Sequence, residues 1–231
     1  MPTAAIIPAA GTGVRFGEEK QFKLLEQKPL IFHTLSSFLQ SKEIKEIVLV
    51  VSKDRLSITK KAMSSSLRKK NIKVVLGGRH RQDSVYEGLK AVSQSCNIVC
   101  IHDGARPFVS TELIESTIRA CKKFDGAVAA VKATDTVKLV THGGTVQKTL
   151  DRDKIWFAQT PQTFKKQELS QALLSAQKKN ISGTDEAMIM EIMGYSIAIV
   201  EGSNQNIKIT TREDWIHAKA ILNSISLVEN S

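Results

Sequence analysis

Long apolar runs are missing from this chain of 231 residues. None approaches the ~20 consecutive apolar positions that span a bilayer, so no membrane partner is expected. Aromatic residues make up only 5% of the chain, too few for the stacking platforms of single-strand nucleic-acid binders. Cys96, Cys100 and Cys121 are the only cysteines. An odd number of thiols in apolar settings, with no C-x-x-C, excludes a disulfide framework and fits reduced core residues of a cytoplasmic enzyme. Nothing resembling a signal or transit peptide stands before the first apolar run, Ala4 to Ile7. His33, His80, His102, His142 and His217 lack metal-ligand spacing with one another or with Cys or Asp. No histidine metal site is expected, and a structural role is expected for His102. Internal repeats and low-complexity segments are also absent.

What is present is positive charge. The formal net charge is +10, on a chain with 42% hydrophobic and 24% charged residues. The densest basic runs, Lys60-Lys61 and Arg68-Lys69-Lys70, fall on one predicted helix without interleaved aromatics. They read as a solvated helix face, and no nucleic-acid partner is expected. The excess charge suits a polyanionic small substrate, whose encounter it would speed.

Apolar runs alternate with helical stretches along the chain, which is the pattern of a doubly wound, mostly parallel α/β sheet. The patterning predicts strands near 4–8, 46–52, 72–76, 97–102, 127–131 and 196–200. It predicts helices near 30–40, 54–70, 83–94, 111–124, 165–178, 185–193 and 212–223, with Ser110 and Asp83 as N-caps. A chain of this length can bury one core, so a single domain over 1–231 is expected. Residues 132–162 break the alternation. Two β-branched polar runs flank His142-Gly143-Gly144, which predicts a protruding hairpin arm. Its strands can bury little by themselves, and a second subunit is the expected cover.

The richest local signal follows the first strand: Pro8-Ala9-Ala10-Gly11-Thr12-Gly13-Val14-Arg15-Phe16-Gly17. Small residues leave the backbone bare, so its amides can converge on phosphate oxygens, and Arg15 and Lys20 add cations close by. The loop lacks the Gly-Lys-Ser/Thr of a Walker A motif. It also misses the dinucleotide fingerprint by one residue. Tyr86-Glu87-Gly88-Leu89-Lys90 imitates a dehydrogenase Tyr-x-x-x-Lys pair but falls too early in the chain. The functional reading is a nucleotide held by its phosphates; the alternative is a tight strand-to-helix turn with no ligand. In doubly wound sheets ligands sit beyond the carboxyl ends of the strands. That rule brings Gly77-Gly78-Arg79-His80-Arg81 and His102-Asp103-Gly104-Ala105-Arg106-Pro107 to the same edge. Asp103 ends an apolar strand, where a lone carboxylate is costly. It would be balanced by Mg²⁺ bridging to phosphates, or by Arg106 in a turn.

With these blocks assembled, the chain resembles the 2-C-methyl-D-erythritol 4-phosphate cytidylyltransferases of non-mevalonate isoprenoid biosynthesis. The resemblance runs from Ala5 to about Leu222. Besides the blocks above it rests on Lys20-Gln21-Phe22, Arg81-Gln82-x-Ser84-Val85, Asp135-Thr136 and Asp151-Arg152. It continues through Gln159-Thr160-Pro161-Gln162, Thr184-Asp185-Glu186 and Asn206-Ile207-Lys208-Ile209-Thr210. It implies a Rossmann-like nucleotidyltransferase fold and transfer from CTP to a sugar-alcohol phosphate with release of diphosphate. By the same resemblance, Arg15, Lys20 and Lys208 are catalytic. Ala9, Ala10, Gly11, Gly13, Gly78, Arg81, Ser84, Asp103 and Gly104 bind CTP, and Asp103 helps hold Mg²⁺ or another divalent cation. Arg106 and Thr184 hold the acceptor, joined by Thr136 and Arg152 from the arm of the other subunit of a homodimer.

Two positions depart from the family pattern. Glu19 precedes Lys20 where relatives usually have proline, with Lys23 close by, and Gln205 stands where relatives often have an acidic residue. The readings kept beside this one are a ribitol 5-phosphate cytidylyltransferase, a UTP- or GTP-using sugar nucleotidyltransferase, and a non-catalytic nucleotide-binding regulator. The Pro8-Ala9-Ala10-Gly11 opening favours the methylerythritol branch over the ribitol branch, and Lys20 with Lys208 speaks against a regulator. The chain stops soon after its last predicted helix, so the synthase domain fused to some relatives is expected to be absent.

Overall fold

The computed structural model describes residues 1–11, 16, 19–66 and 71–229. The strands are β1 (Thr3–Pro8), β2 (Leu24–Leu25), β3 (Lys28–Pro29), β4 (Ile44–Val51), β5 (Asn71–Leu76) and β6 (Ile98–Ile101), followed by β7 (Gly126–Lys132), β8 (Lys138–Val140), β9 (Val146–Thr149), β10 (Trp156–Lys165) and β11 (Ile197–Glu201). The helices are α1 (Leu30–Gln40), α2 (Lys53–Ser66), α3 (Arg81–Ala91), α4 (Thr111–Ala120), α5 (Lys166–Lys178), α6 (Glu186–Ile192) and α7 (Arg212–Glu229). The final residues of the predicted 54–70 helix, 67–70, lie outside the described residues.

A seven-stranded sheet in the order β11-β7-β10-β6-β1-β4-β5 runs through the molecule. β1 pairs parallel with β4 and β6, β4 with β5, and β11 with β7, while β10 runs antiparallel to both neighbours. The chain thus winds outward from β1 to β5 and crosses back to β6, which makes a switch point between β1 and β6. Alternate side chains of β1 feed opposite layers. Ala4 and Ile6 join Val85, Leu89, Leu169 and Leu173 from α3 and α5. Ala5 and Ile7 join Ile31, Leu35, Leu113 and Ile114 from α1 and α4. That is the period-2 pattern of a strand covered on both faces. Gly88 permits the closest of these contacts: a Cβ there would lie 2.6 Å from Ile6 Cγ2, so α3 needs glycine to seat on β1.

The doubly wound, mostly parallel sheet of the sequence reading is present, with three corrections. The arm is shorter than 132–162. Its paired strands are β8 and β9, exposed throughout, and Gly144 turns between them at φ +79°. Residues 156–162 belong instead to β10, a central strand that the patterning did not predict. Pro161 argues against a central strand because it cannot donate to a ladder. The register of β10 against β7 is broken between Ala158 and Gln162, where that proline sits. Asp83 is not an N-cap. It is the third helical residue of α3, and its carboxylate accepts from the backbone N–H of the cap residue His80 at 3.0 Å. Ser110 caps α4 as expected, accepting from Leu113 N–H.

Candidate active site

Three parallel strands end at one edge, and each delivers a loop. After β1, Ala9 N–H donates to Val50 at 2.7 Å, which keeps the chain on the sheet before it turns out at Ala10 and Gly11. After β5, the turn at Gly77 and Gly78 is closed by Ser84, whose hydroxyl accepts from Gly78 N–H at 3.2 Å and donates to the His80 carbonyl at 3.1 Å. A Cβ on Gly78 would collide with Asp83, so this turn admits no larger residue unless α3 shifts. After β6 comes Asp103, whose backbone N–H donates to Thr160 Oγ1 at 3.0 Å. The loop before α7 brings in Lys208, tied down by Ile209 N–H on the Ala105 carbonyl at 2.9 Å.

These loops border an open cleft at the switch point, with a cavity of about 190 Å³, lined among others by Ala10, Gly11, Gly78, Ser84, Asp103 and Gly104. Lys20, Arg79, Arg81 and Lys208 also line it, set against the carboxylate of Asp103. Lys20 sits in a one-turn 3-10 helix, Lys20–Phe22, at 7% exposure. Glu19, just before it, clips this turn to the start of α2 through Ser52 and Arg55. Lys23 does not line the cleft: its ammonium lies 5.6 Å from the ring centres of both Phe16 and Trp215, while that of Lys20 lies 5.9 Å from Phe16.

Asp103 is the electrostatic centre. Oδ1 accepts from Arg81 Nε at 3.2 Å, and Oδ2 lies 2.8 Å from Lys208 Nζ and 3.7 Å from Arg106 Nε. Burial opposes its ionisation, but Arg81, Lys208 and Arg106 hold its pKa well below the usual carboxylate range. Arg81 is held in turn by Glu186, 1% exposed, both of whose oxygens accept from Nη1 at 2.7 Å. Burial works against the arginine's charge, yet Glu186 and Asp103 raise its pKa further.

Behind Asp103 lies a buried polar cluster. His102 Nε2 is 3.0 Å from the Arg106 carbonyl and Nδ1 is 3.0 Å from Thr160 Oγ1. A carbonyl only accepts, so the network assigns the proton to Nε2 and makes Nδ1 the acceptor for the threonine hydroxyl. Burial pushes the pKa of His102 down to about 4 and keeps the ring neutral. The sign of the resulting pH dependence is fixed. The unfolded chain takes up this proton near pH 6.5 and the folded chain only near pH 4, so stability falls as pH drops through that window. The shift corresponds to about 3 kcal/mol at most. Chemical denaturation of parent and His102→Asn between pH 7.5 and 4 should show a steeper loss for the parent; parallel curves would exclude this origin.

Of the sequence candidates, Ala10, Gly11, Lys20, Gly78, Arg81, Ser84, Asp103, Gly104 and Lys208 line the cleft, and Ala9 lies buried behind it. Gly13 and Arg15 lie outside the described residues. Arg106 does not line the cleft. It is buried, with Nη1 donating to the Asn206 carbonyl at 2.6 Å. Thr184, on the loop before α6, and Thr136 and Arg152, on the exposed arm segment, do not line this chain's cleft either. Gln205 is exposed and also stands apart from it. The parts the sequence reading left without a role are Thr160, Asn206 and Glu186. Their contacts join segments 46 to 105 residues apart, and only their place in the ordered motif blocks hinted at them.

Comparison with known proteins gives the family of the chain. A model of the 2-C-methyl-D-erythritol 4-phosphate cytidylyltransferase family matches residues 3–224. The chain belongs to that family. A relative from Clostridioides difficile (strain 630) with that name is 43% identical over 222 residues, covering 95% of this chain and 93% of its own. Among solved structures, a 4-diphosphocytidyl-2C-methyl-D-erythritol synthase from Anaerococcus prevotii DSM 20548 superposes with a TM-score of 0.87 at 35% identity, covering 96% of this chain and 98% of its own. The Francisella tularensis 2-C-methyl-D-erythritol 4-phosphate cytidylyltransferase follows at a TM-score of 0.80 and 34% identity, covering 96% and 100%. The family is one of nucleotidyltransferases, and the cation-rich cleft is the part of this chain suited to a triphosphate. No helix among the described residues is long and apolar enough to cross a membrane.

Proposed function

We propose that this chain transfers the cytidylyl group of CTP to 2-C-methyl-D-erythritol 4-phosphate in isoprenoid biosynthesis, giving 4-diphosphocytidyl-2-C-methyl-D-erythritol and diphosphate. The observation that carries the reading is the cleft at the switch point, lined by Lys20, Arg79, Arg81 and Lys208, the last two in contact with Asp103. An oxygen of the acceptor's phosphate forms a bond to the α-phosphorus of CTP, and the bond from that phosphorus to the bridging oxygen of the β-phosphate breaks, its electron pair leaving with diphosphate. Such displacements are catalysed chiefly by positioning and charge stabilisation. The backbone of Ala9, Ala10, Gly11 and Gly13 cradles the triphosphate with Arg15. Lys20, Arg15 and Lys208 stabilise the charge that spreads over the phosphoryl oxygens. Gly78, Arg81 and Ser84 form the cytosine and ribose side, and Gly104 lets the nucleotide approach β6.

Arg106 serves by fixing the Lys208 loop through Asn206, while Thr184 and the partner's arm, with Thr136 and Arg152, grip the acceptor. The exposed β8–β9 hairpin supports a homodimer, because Leu139, Val140 and Val146 lie on it about half exposed. The buried free thiols of Cys96, Cys100 and Cys121 support a reducing compartment, the cytoplasm.

A divalent cation fits this donor set. A carboxylate offers about four lone-pair sites; Asp103 spends one oxygen's site on Arg81 and one on Lys208, with Arg106 3.7 Å away, so each oxygen keeps room. Mg²⁺ characteristically takes one or two carboxylates and completes its shell with substrate phosphates and water. When bound it would neutralise phosphate charge and polarise the α-phosphoryl oxygen. Asp103→Asn should raise the Mg²⁺ needed for half-maximal rate about tenfold and weaken Mn²⁺ binding in the presence of CTP, read by paramagnetic resonance. Equal metal response in both proteins would leave Asp103 as a counter-charge alone. The reading as a whole is tested by incubating the protein with Mg²⁺, CTP and either 2-C-methyl-D-erythritol 4-phosphate or ribitol 5-phosphate. Diphosphate release is expected with the first; release only with the second overturns the acceptor, and release with neither overturns the enzyme.

A further inference from the structure

Glu186 is the first residue of α6 and lies 105 positions from Arg81 along the chain. It sits at 1% exposure, and burial raises its pKa while Arg81 draws it back down. A carboxylate in that position is expensive, and the cluster that α6 joins through Ala187, Ile189 and Met190 gains nothing from it. Its two oxygens meet a single atom, Arg81 Nη1, while Arg81 Nε reaches Asp103. Arg81 is therefore held from two sides. Nη2 has no partner among the described residues, and the residue itself lines the cleft.

We propose that Glu186 is a positioning residue for the nucleotide side of the site: it holds the Arg81 guanidinium against Asp103 so that its remaining donors face CTP. A long arginine freed of this hold gives up rotamer entropy each time it binds, which weakens the bound state. Glu186 touches no substrate and acts only through Arg81. Its neighbour Asp185 accepts from Gln162 at 2.7 Å and from Met188 N–H at 2.9 Å, which fixes the start of α6 independently of the Arg81 pair. The start of α6 thus has an anchor besides the Arg81 pair.

The proposal rests on the CTP-dependent reading above, so the test measures CTP binding by calorimetry apart from turnover. Parent protein should bind CTP; absence of binding would overturn both the functional reading and this role. Glu186→Gln keeps the size of the side chain and removes its charge. It should weaken CTP binding and raise the KM for CTP about tenfold, with the KM for the acceptor within about twofold of the parent. Arg81→Lys should reproduce the same split. The double variant should be no worse than the poorer single one, because both changes break one interaction. Additive losses in the double variant, or parent-like CTP affinity in Glu186→Gln, overturn the positioning role. Should Glu186→Gln melt more than 10 °C early, Glu186→Asp supplies the same comparison, with intermediate CTP affinity expected and parent-like affinity overturning the role.

Discussion

Lys20→Ala is expected to lower kcat by about 10²–10³-fold while circular dichroism and thermal unfolding stay close to the parent. That range is typical for loss of one preorganised donor aimed at charge that develops in the transition state. The geometry favours Lys20 over its neighbour. Lys20 lies on the cleft wall at 7% exposure, drawn out of bulk water, where attraction to a phosphate is screened less. Both ammonium groups lie near the Phe16 ring, but Lys23 also rests over Trp215, in the cluster that α7 covers, and does not line the cleft. Lys23→Ala should therefore retain near-parent turnover. Because Lys20 contributes more to the transition state than to ground-state binding, its loss should appear in kcat and kcat/KM together, not in KM alone. Near-normal turnover in Lys20→Ala would move the role to another cation. Glu19, before Lys20, does not disturb this placement, since it anchors the turn to α2 through Arg55.

The parts of this fold that repeat local physics were legible in the sequence. β1 alternates Ala4 and Ile6 with Ala5 and Ile7, and α1 places Leu30, Ile31, Leu35 and Phe38 on one buried face. Those periods carry the element type directly. β10 was not legible, because Pro161 and a broken register mask a central strand whose only support is tertiary. The same holds within the site. Glycine-rich turns after β1 and β5 announce themselves, since few other residues leave the backbone bare. Asp103 was legible as an anomaly at the end of an apolar strand, with Arg106 as a counter-charge and the Arg81 loop at the same edge, but its actual contacts were not. Arg81 and Lys208 reach it from 22 and 105 residues away, and no local pattern encodes such distances. Arg106, three residues from Asp103, reads in sequence as its counter-charge and, by the resemblance, as an acceptor ligand; the structure puts its Nε 3.7 Å from Asp103 and its Nη1 on the Asn206 carbonyl.

Arg152→Ala is expected to raise the KM for the acceptor phosphate about 10²-fold while CTP affinity stays near the parent value. Arginine offers a charged, two-pronged hold on phosphate oxygens, and loss of a charge-assisted pair of this kind costs several kcal/mol at a desolvated site. In the isolated chain Arg152 is exposed, with Nη1 donating to the Thr134 carbonyl at 2.9 Å across the base of the arm. It does not line its own cleft. A phosphate contact therefore requires the arm to reach a neighbouring subunit, and a two-fold axis makes that exchange reciprocal. The geometry is tested by mixing Arg152→Ala chains with Lys20→Ala chains and allowing subunits to exchange. In the mixed dimer, the cleft of the Arg152→Ala chain keeps its own lysine and receives an intact arm, whereas the other cleft carries both lesions. An equal mixture should recover about a quarter of the parent rate, since half of the dimers are mixed and half of their sites are whole. Recovery of no activity, once exchange is shown by mass spectrometry of differently labelled chains, would mean that each arm serves its own subunit.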